Sequence, residues 1–199
     1  MASRPFHHGN LRVVLLEQAE AMLREGGVGG LSLRELARQA GVSHGAPRSH
    51  FVDRQALLDA LAEQGFNRLT DNLRTALRTP GTLEEQARLV GRAYVDFAVH
   101  DAALMDLMFA AKQDAPSGPI HEAALRLFQV FDQALAREST QSPADDARER
   151  FKLLFTATMQ GTATLLASRR IDRPQAEKLI DDAVDVLLAS ELGGRLLSG

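Results

Sequence analysis

The chain has 199 residues, 45% hydrophobic and 25% charged, with nine Phe, one Tyr, no Trp and no Cys. That much apolar material excludes a disordered tail or a collagen-like fibre, and the missing cysteines exclude disulfide frameworks, thiolate zinc sites and cysteine nucleophiles. A formal charge of -3 excludes a coat protein that grips nucleic acid by bulk charge.

Ala, Leu, Arg, Glu and Gln dominate and alternating β-branched stretches are missing, so the expected fold class is all-α, with about nine helices. The first ten residues carry Arg4, Pro5, His7 and His8 but no apolar run, and are expected to be neither a secretory signal nor an anchor. No run elsewhere approaches the roughly 18 apolar residues of a membrane span. A soluble, cytoplasmic protein with no membrane partner is expected. Leu11, Val14, Leu15, Ala19, Met22 and Leu23 share one face of a first helix over residues 10–25, stopped by Gly26, Gly27, Gly29 and Gly30. Ser32 and Glu35 form a capping box for a second helix that Gly41 closes, and Ser43 can cap a third over residues 46–51. Asp53 caps a fourth, extended to about residue 79 before Pro80 and Gly81, long enough to bridge two parts of the protein. Thr82 and Glu85 form a second capping box for a helix to about residue 100, and Asp101 caps a short one through residue 111. Ser117-Gly118-Pro119 and Ser142-Pro143 open two further helices, with Pro placed early where its missing N–H is harmless. Asp172 with Pro174 opens the last, which ends near Gly193-Gly194.

Residues 31–58 read LSLRELARQAGVSHGAPRSHFVDRQALL, two short helices joined at Gly41-Val42-Ser43, which is helix-turn-helix grammar. Leu33, Leu36, Ala37 and Ala40 make the buried stripe of the first helix, and Gly41 supplies a backbone conformation costly for other residues. The second helix is small and polar on its leading edge. Ser43, His44, Gly45, Ala46, Pro47, Arg48, Ser49 and His50 would let backbone approach phosphates and present side chains to base edges. Short helix pairs with a Gly turn also occur as plain core, and spacing alone leaves both readings open.

The first 66 residues resemble the amino-terminal domain of the TetR family of bacterial transcriptional regulators, through the run from Phe6-His7-His8-Gly9-Asn10-Leu11-Arg12 and through residues 31–58 quoted above. The resemblance implies a three-helix DNA-binding domain over residues 1–54 and a helical ligand-binding and dimerisation domain over 55–199. It further implies a homodimer on a palindromic double-stranded operator and repression relieved by a small ligand. By the same resemblance a phosphate-contacting hydroxyl falls on Ser32 with Arg34 beside it, the recognition helix on residues 43–50, and the phosphate clamp of the fourth helix on Arg54. Arg48 stands where the family's Tyr-x-His-Phe pattern has Tyr and can meet either a phosphate or a base. Pro47 before it tolerates only the first turn of a helix, so the recognition helix is expected to start late. His44 is expected to point at DNA and His50 to pack beside Phe51. Arg4 could enter a minor groove or lie on the surface.

Phe and Met rows follow in the carboxy-terminal part. Tyr94, Phe97, His100, Met105, Met108, Phe109, Phe128, Phe155, Met159 and Gln160 are candidates for lining a pocket for an unknown small apolar or amphipathic ligand, against the plain-core reading of the same spacing. The run FTATMQGTATLL resembles a TetR subfamily named for a Trp-His-Gly motif, keeping Gly161 but with Gln160 for His and Thr156 for Trp. The last two long helices have the widest apolar faces. Phe151, Thr158, Gly161 and Leu165 on one, and Leu179, Ile180, Ala183 and Leu187 on the other, are candidates for a four-helix interface between two copies. The alternative is that both helices are buried within one subunit.

An enzyme is not expected, since no activated nucleophile, metal-ligand set or phosphate loop is legible. Nor is a metal or cofactor, because His7 and His8 are adjacent rather than four apart. A regulator without a small-molecule ligand, governed by a partner or by its own concentration, is the competing function. The net charge also divides: residues 1–54 hold seven Arg against five acidic residues, and residues 55–199 hold 16 basic against 21 acidic. A small cationic reader and an acidic body are compatible with DNA held at one end only.

Overall fold

The computed structural model describes residues 11–114, 117–136 and 145–197. Arg4, His7, His8 and the Ser142-Pro143 helix start lie outside the described residues. Every regular element described is helical: α1 (Leu11–Gly26), α2 (Leu33–Gln39), α3 (Arg54–Ala76), α4 (Leu83–His100), α5 (Ala102–Asp114), α6 (Pro119–Ala136), α7 (Asp145–Ala167), α8 (Arg173–Ala189) and α9 (Glu191–Leu197), with single 3-10 turns at Val28–Gly30 and Pro47–Ser49. The all-α expectation and the count of nine hold, with two changes of membership. The predicted third helix is only a 3-10 turn, and the predicted last helix breaks at Ser190, whose extended backbone separates α8 from α9. Gly193 and Gly194 therefore lie inside a helix rather than ending one. No helix among the described residues is long and apolar enough to cross a membrane.

Local chemistry explains four of the helix starts. The Asp53 carboxylate accepts the Ala56 N–H at 2.8 Å, Thr82 and Glu85 exchange both bonds of a capping box, and Asp172 does the same with Gln175. At α2 only half of the expected box forms: Ser32 Oγ accepts the Glu35 N–H, while the Glu35 carboxylate takes Arg38 and Gln39.

The chain forms two compact units, Met1–Phe66 with Asp101–Glu122, and Asn67–His100 with Ala123–Gly199. In the first, Leu15, Leu23, Leu36, Phe51, Leu57, Leu61, Phe66 and Met105 are among the fully buried side chains. α3 and α5 meet at Gly65, where a Cβ would stand 2.6 Å from Met108 Sδ and 3.1 Å from Leu104 Cγ. Phe66 and Phe109 meet edge to face next to it, with ring centroids 6.1 Å apart. Arg24 joins two buried carboxylates, Glu20 on its own helix at 2.5 Å and Asp101 at 3.2 Å.

In the second unit α4, α7 and α8 pack on one another. Gly91 allows the close approach, since a Cβ there would stand 2.9 Å from both Ile180 Cγ2 and Met159 Sδ. Acidic and basic side chains lace the rim of α4 to α8: Arg92 to Asp181 at 2.6 Å, Arg173 to Asp96 at 2.5 Å, and Arg88 to Asp185. Lys152 is buried yet paired, 2.9 Å from Asp132 and 2.5 Å from Glu149, with its ammonium 6.0 Å from the Phe128 ring centroid. Burial pushes its pKa down, but the two carboxylates outweigh that and hold it above the usual lysine value.

Candidate nucleic-acid interface

The helix-turn-helix segment lies wholly in the first unit. α2 ends in a turn at Gly41, whose φ of +67° is the left-handed conformation expected of it, and the Val42 N–H returns to the Ala37 carbonyl at 3.0 Å. Beyond the turn the backbone closes by four i to i+3 bonds and then by one i to i+4 bond, from the Phe51 N–H to the Pro47 carbonyl at 2.9 Å. Ser43 O accepts from Ala46, Gly45 O from Arg48, Ala46 O from Ser49 and Pro47 O from His50, at 3.0–3.3 Å. Ser43 contributes its carbonyl, and no side-chain cap opens the turn.

Burial sorts the predicted DNA-contacting residues. Ser32, Arg34, Ser43, His44, Gly45, Arg48, Ser49 and Arg54 are exposed, Ala46 and His50 half-buried, and Pro47 buried beside Phe51 in the core. Pro47 therefore does not present its ring outward. His50 lies next to Phe51, ring centroids 6.5 Å apart, which fits the packing role expected of it. Ser32 Oγ spends a lone pair on the Glu35 N–H at 3.1 Å, and its own O–H can still donate to an anion. Ser49 Oγ donates to the Ala46 carbonyl at 2.7 Å and so faces outward with lone pairs only.

The basic residues are not equivalent. Arg38 forks onto Glu35, and that hydrogen bond, with a second from Gln39, holds the Glu35 carboxyl at about 2, well below the usual carboxylate range. Gln39 in turn accepts from Gln18 of α1 at 2.9 Å, tying the two helices together. Arg54 donates from Nε to the Leu31 carbonyl at 2.8 Å and from Nη2 to the Val28 carbonyl at 2.5 Å, lashing the start of α3 to the loop before α2. A phosphate contact at Arg54 would have to use its remaining N–H groups. Arg54→Ala is accordingly expected to cost about 1–2 kcal/mol in the absence of any DNA, seen as a lower urea midpoint. Arg12 was not among the residues singled out by sequence. Its exposed guanidinium lies 5.5 Å from the Phe51 ring centroid, a contact between chain-distant residues that no local pattern encodes.

The pocket candidates divide between the units. Met105, Met108 and Phe109 pack in the first, around Gly65 and Phe66. Tyr94, Phe97, Phe128, Phe155, Met159 and Gln160 belong to the second. There the buried Tyr94 O–H donates to Gln160 Oε1 at 2.9 Å, and burial raises the phenol above its ordinary pKa. His100 is exposed at the end of α4, with Nδ1 2.8 Å from the Asp96 carbonyl oxygen. Of the dimer candidates, Phe151 and Ile180 are buried within the subunit, which is the alternative the sequence left open for them. Gly161 and Leu179 are exposed and Thr158, Leu165, Ala183 and Leu187 half-buried. Leu154, 48% exposed, and Val186, 69% exposed, extend the outward stripes of α7 and α8.

Two family profiles match the chain: "Bacterial regulatory proteins, tetR family" over residues 15–61, and "Tetracyclin repressor-like, C-terminal domain" over residues 87–190. A curated relative, the HTH-type transcriptional regulator BetI of Cronobacter sakazakii, is 24% identical over 140 residues, 67% of this chain and 68% of its own length. Among solved structures, a Rhodococcus sp. RHA1 protein of unknown function superposes with a TM-score of 0.77 at 38% identity, over 94% of this chain and 97% of that one. The TetR-like transcriptional regulator LfrR of Mycobacterium smegmatis, solved in complex with proflavine, gives a TM-score of 0.61 at 20% identity, over 92% and 98% of the two chains.

Proposed function

Because the chain belongs to the TetR family of bacterial regulatory proteins, we propose that it is a sequence-specific transcriptional repressor, acting in the cytoplasm as a homodimer on a palindromic operator and released by a small ligand. The observation that carries the reading is the exposed edge of His44, Arg48 and Ser49, in a segment whose Pro47 and Phe51 are buried. Arg48 supplies an always-charged fork there, Ser32 and Arg34 are exposed in the same unit, and Arg12 holds a further guanidinium over Phe51. We assign DNA reading to residues 1–54 and ligand binding and dimerisation to residues 55–199.

Two-fold pairing through the outward stripes of α7 and α8 would bring two such edges to one face of the duplex, about 34 Å apart. α3 begins in the unit that carries the reader and continues into the other, so a ligand that displaces α3 would change the separation of the two edges. Support for a ligand site comes from the polar pair Tyr94 and Gln160 among the Phe and Met side chains of the second unit. Gln160 and Gly161 hold the places of His and Gly in the Trp-His-Gly pattern, and that likeness stays part of the proposal. LfrR was solved with proflavine, a flat amphipathic molecule of the chemical class proposed here. A second reading, a regulator without a small-molecule ligand, is favoured by the packing of Tyr94, Phe155 and Met159, none more than 3% exposed. A melting screen across lipophilic metabolites and drugs separates the two, since a ligand bound only by the folded chain raises the midpoint.

Anisotropy titrations test the DNA-binding reading. The chain is expected to bind the DNA upstream of its own gene more tightly than a scrambled duplex at moderate salt, and equal affinities would refute it. Arg48→Ala is expected to weaken binding by about 1–3 kcal/mol. If Arg48 meets phosphate the salt slope falls by about one per subunit; if it reads a base, preference at one position relaxes.

A further inference from the structure

We infer that Arg12 of α1, which lies outside the helix-turn-helix segment, takes a backbone phosphate of each operator half-site from its seat over the Phe51 ring; the inference rests on the DNA-binding reading above. Residues 11–54 contain six arginines. Three are committed within the protein: Arg24 to Glu20 and Asp101, Arg38 to Glu35, and Arg54 to the Leu31 and Val28 carbonyls. Arg12, Arg34 and Arg48 are exposed, and among the described residues their side-chain N–H groups meet no carboxylate and no carbonyl. For Arg12 the reason is local. Arg24 and Arg38 find their carboxylates three or four residues away on the same helix, whereas the residues at those spacings from Arg12 are His8, Gly9, Leu15 and Leu16, none of them acidic.

Phe51 supplies what a carboxylate would otherwise supply, a fixed position, without using up donors. The guanidinium lies 5.5 Å from the ring centroid, and a ring face attracts the charge while leaving N–H groups able to fork onto two phosphate oxygens. A side chain already held in this way also loses less rotamer freedom on binding. The seat adjoins the reading segment. Gln18 of α1 donates to Gln39 at the end of α2, and six residues nearer the start of α1 the chain reaches Phe51, whose N–H closes the segment on the Pro47 carbonyl at 2.9 Å. The Phe51 ring is in turn 6.5 Å from that of His50. An element lodged in a major groove has strand phosphates along its borders, and a fixed fork without an internal partner is suited to one of them. A phosphate carries no sequence, so Arg12 contributes affinity and salt dependence and leaves the choice of bases to His44, Arg48 and Ser49.

The test is a set of anisotropy titrations over a salt series, on the DNA upstream of the chain's own gene and on a scrambled duplex, with the full chain, Arg12→Gln and Arg12→Lys. The side chain is exposed, so both variants are expected to melt close to the parent. Arg12→Gln should bind both duplexes about tenfold more weakly, with the salt slope lower by about one per subunit and the ratio between the duplexes unchanged. Arg12→Lys should keep the slope and regain part of the affinity, because the charge stays and the fork is lost. Methylphosphonate substitutions, which remove one phosphate charge at a time, give a second measurement that uses the parent itself. At one position per half-site they should weaken the parent and Arg12→Lys but not Arg12→Gln. If Arg12 only covers the Phe51 ring, Arg12→Gln keeps the parental slope and the parental methylphosphonate pattern, and that result overturns the inference while DNA reading stands. A change of preferred base in Arg12→Gln overturns it too. A parent that binds the two duplexes equally overturns DNA reading itself, and the inference with it.

Discussion

Phe66→Ala is expected to destabilise the chain by about 3–5 kcal/mol, the cost of removing a fully buried aromatic whose neighbours cannot collapse into the space. Phe66 is 0% exposed and meets Phe109 edge to face, and the adjacent Gly65 already seats Met108 and Leu104 as close as a missing Cβ allows. The α3–α5 contact therefore has little slack with which to fill a cavity. Against a typical total of about 5–15 kcal/mol this is a large fraction. Urea unfolding followed by circular dichroism should show it as a lower midpoint at similar slope. Leu125→Ala, at a side chain 47% exposed, should stay within about 0.5 kcal/mol of the parent. A Phe66→Ala midpoint equal to the parent's would mean that the α3–α5 contact is not the core of the first unit.

Val186→Glu is expected to do little to the folded subunit and a great deal to its assembly. The side chain is 69% exposed, so a carboxylate there is solvated in the monomer. In the proposed four-helix interface it would bring two copies of the same charge together and desolvate both, a cost of several kcal/mol that converts to about a thousandfold weaker dimerisation. Sedimentation velocity should show a monomer at concentrations where the parent is dimeric, with an unchanged melting profile of the isolated subunit. Operator affinity should fall with dimerisation. A Val186→Glu chain that stays dimeric would move the interface away from the outward stripes of α7 and α8.

How much could be read in advance followed the range of the interactions involved. Caps at Asp53, Thr82 and Asp172 are exchanges between residues three apart, and they were legible as spacing. So was the left-handed Gly41 turn. The apolar period of α7 and α8 shows that both helices are wide-faced but not their phase, so it leaves open for Phe151 and Ile180 both an interface and burial within one subunit, and in the structure both are buried. Gly65 and Gly91 each let two helices approach closely, yet a glycine inside a helix announces nothing until its distant neighbour is known. The same holds for Arg54, whose partners Leu31 and Val28 lie more than 20 residues away. Pro47 was half legible: the missing N–H signalled a late start, whereas the run of i to i+3 bonds between Ser43 and His50, closed by an i to i+4 bond from Phe51 to Pro47, needed the buried positions of Pro47 and Phe51 as well. At Ser190 the apolar period ran on past the break, hiding the separate α9, whose Gly193 N–H is bonded to Ser190 Oγ at 3.1 Å.

The proposed function requires that two copies of the His44, Arg48 and Ser49 edge read one face of an operator. Hydroxyl-radical footprinting of the chain on the DNA upstream of its own gene tests it most directly. Two protected patches related by a two-fold axis are expected, with centres about 34 Å or one helical turn apart. Uniform protection along the fragment, or a single unpaired patch, would contradict it.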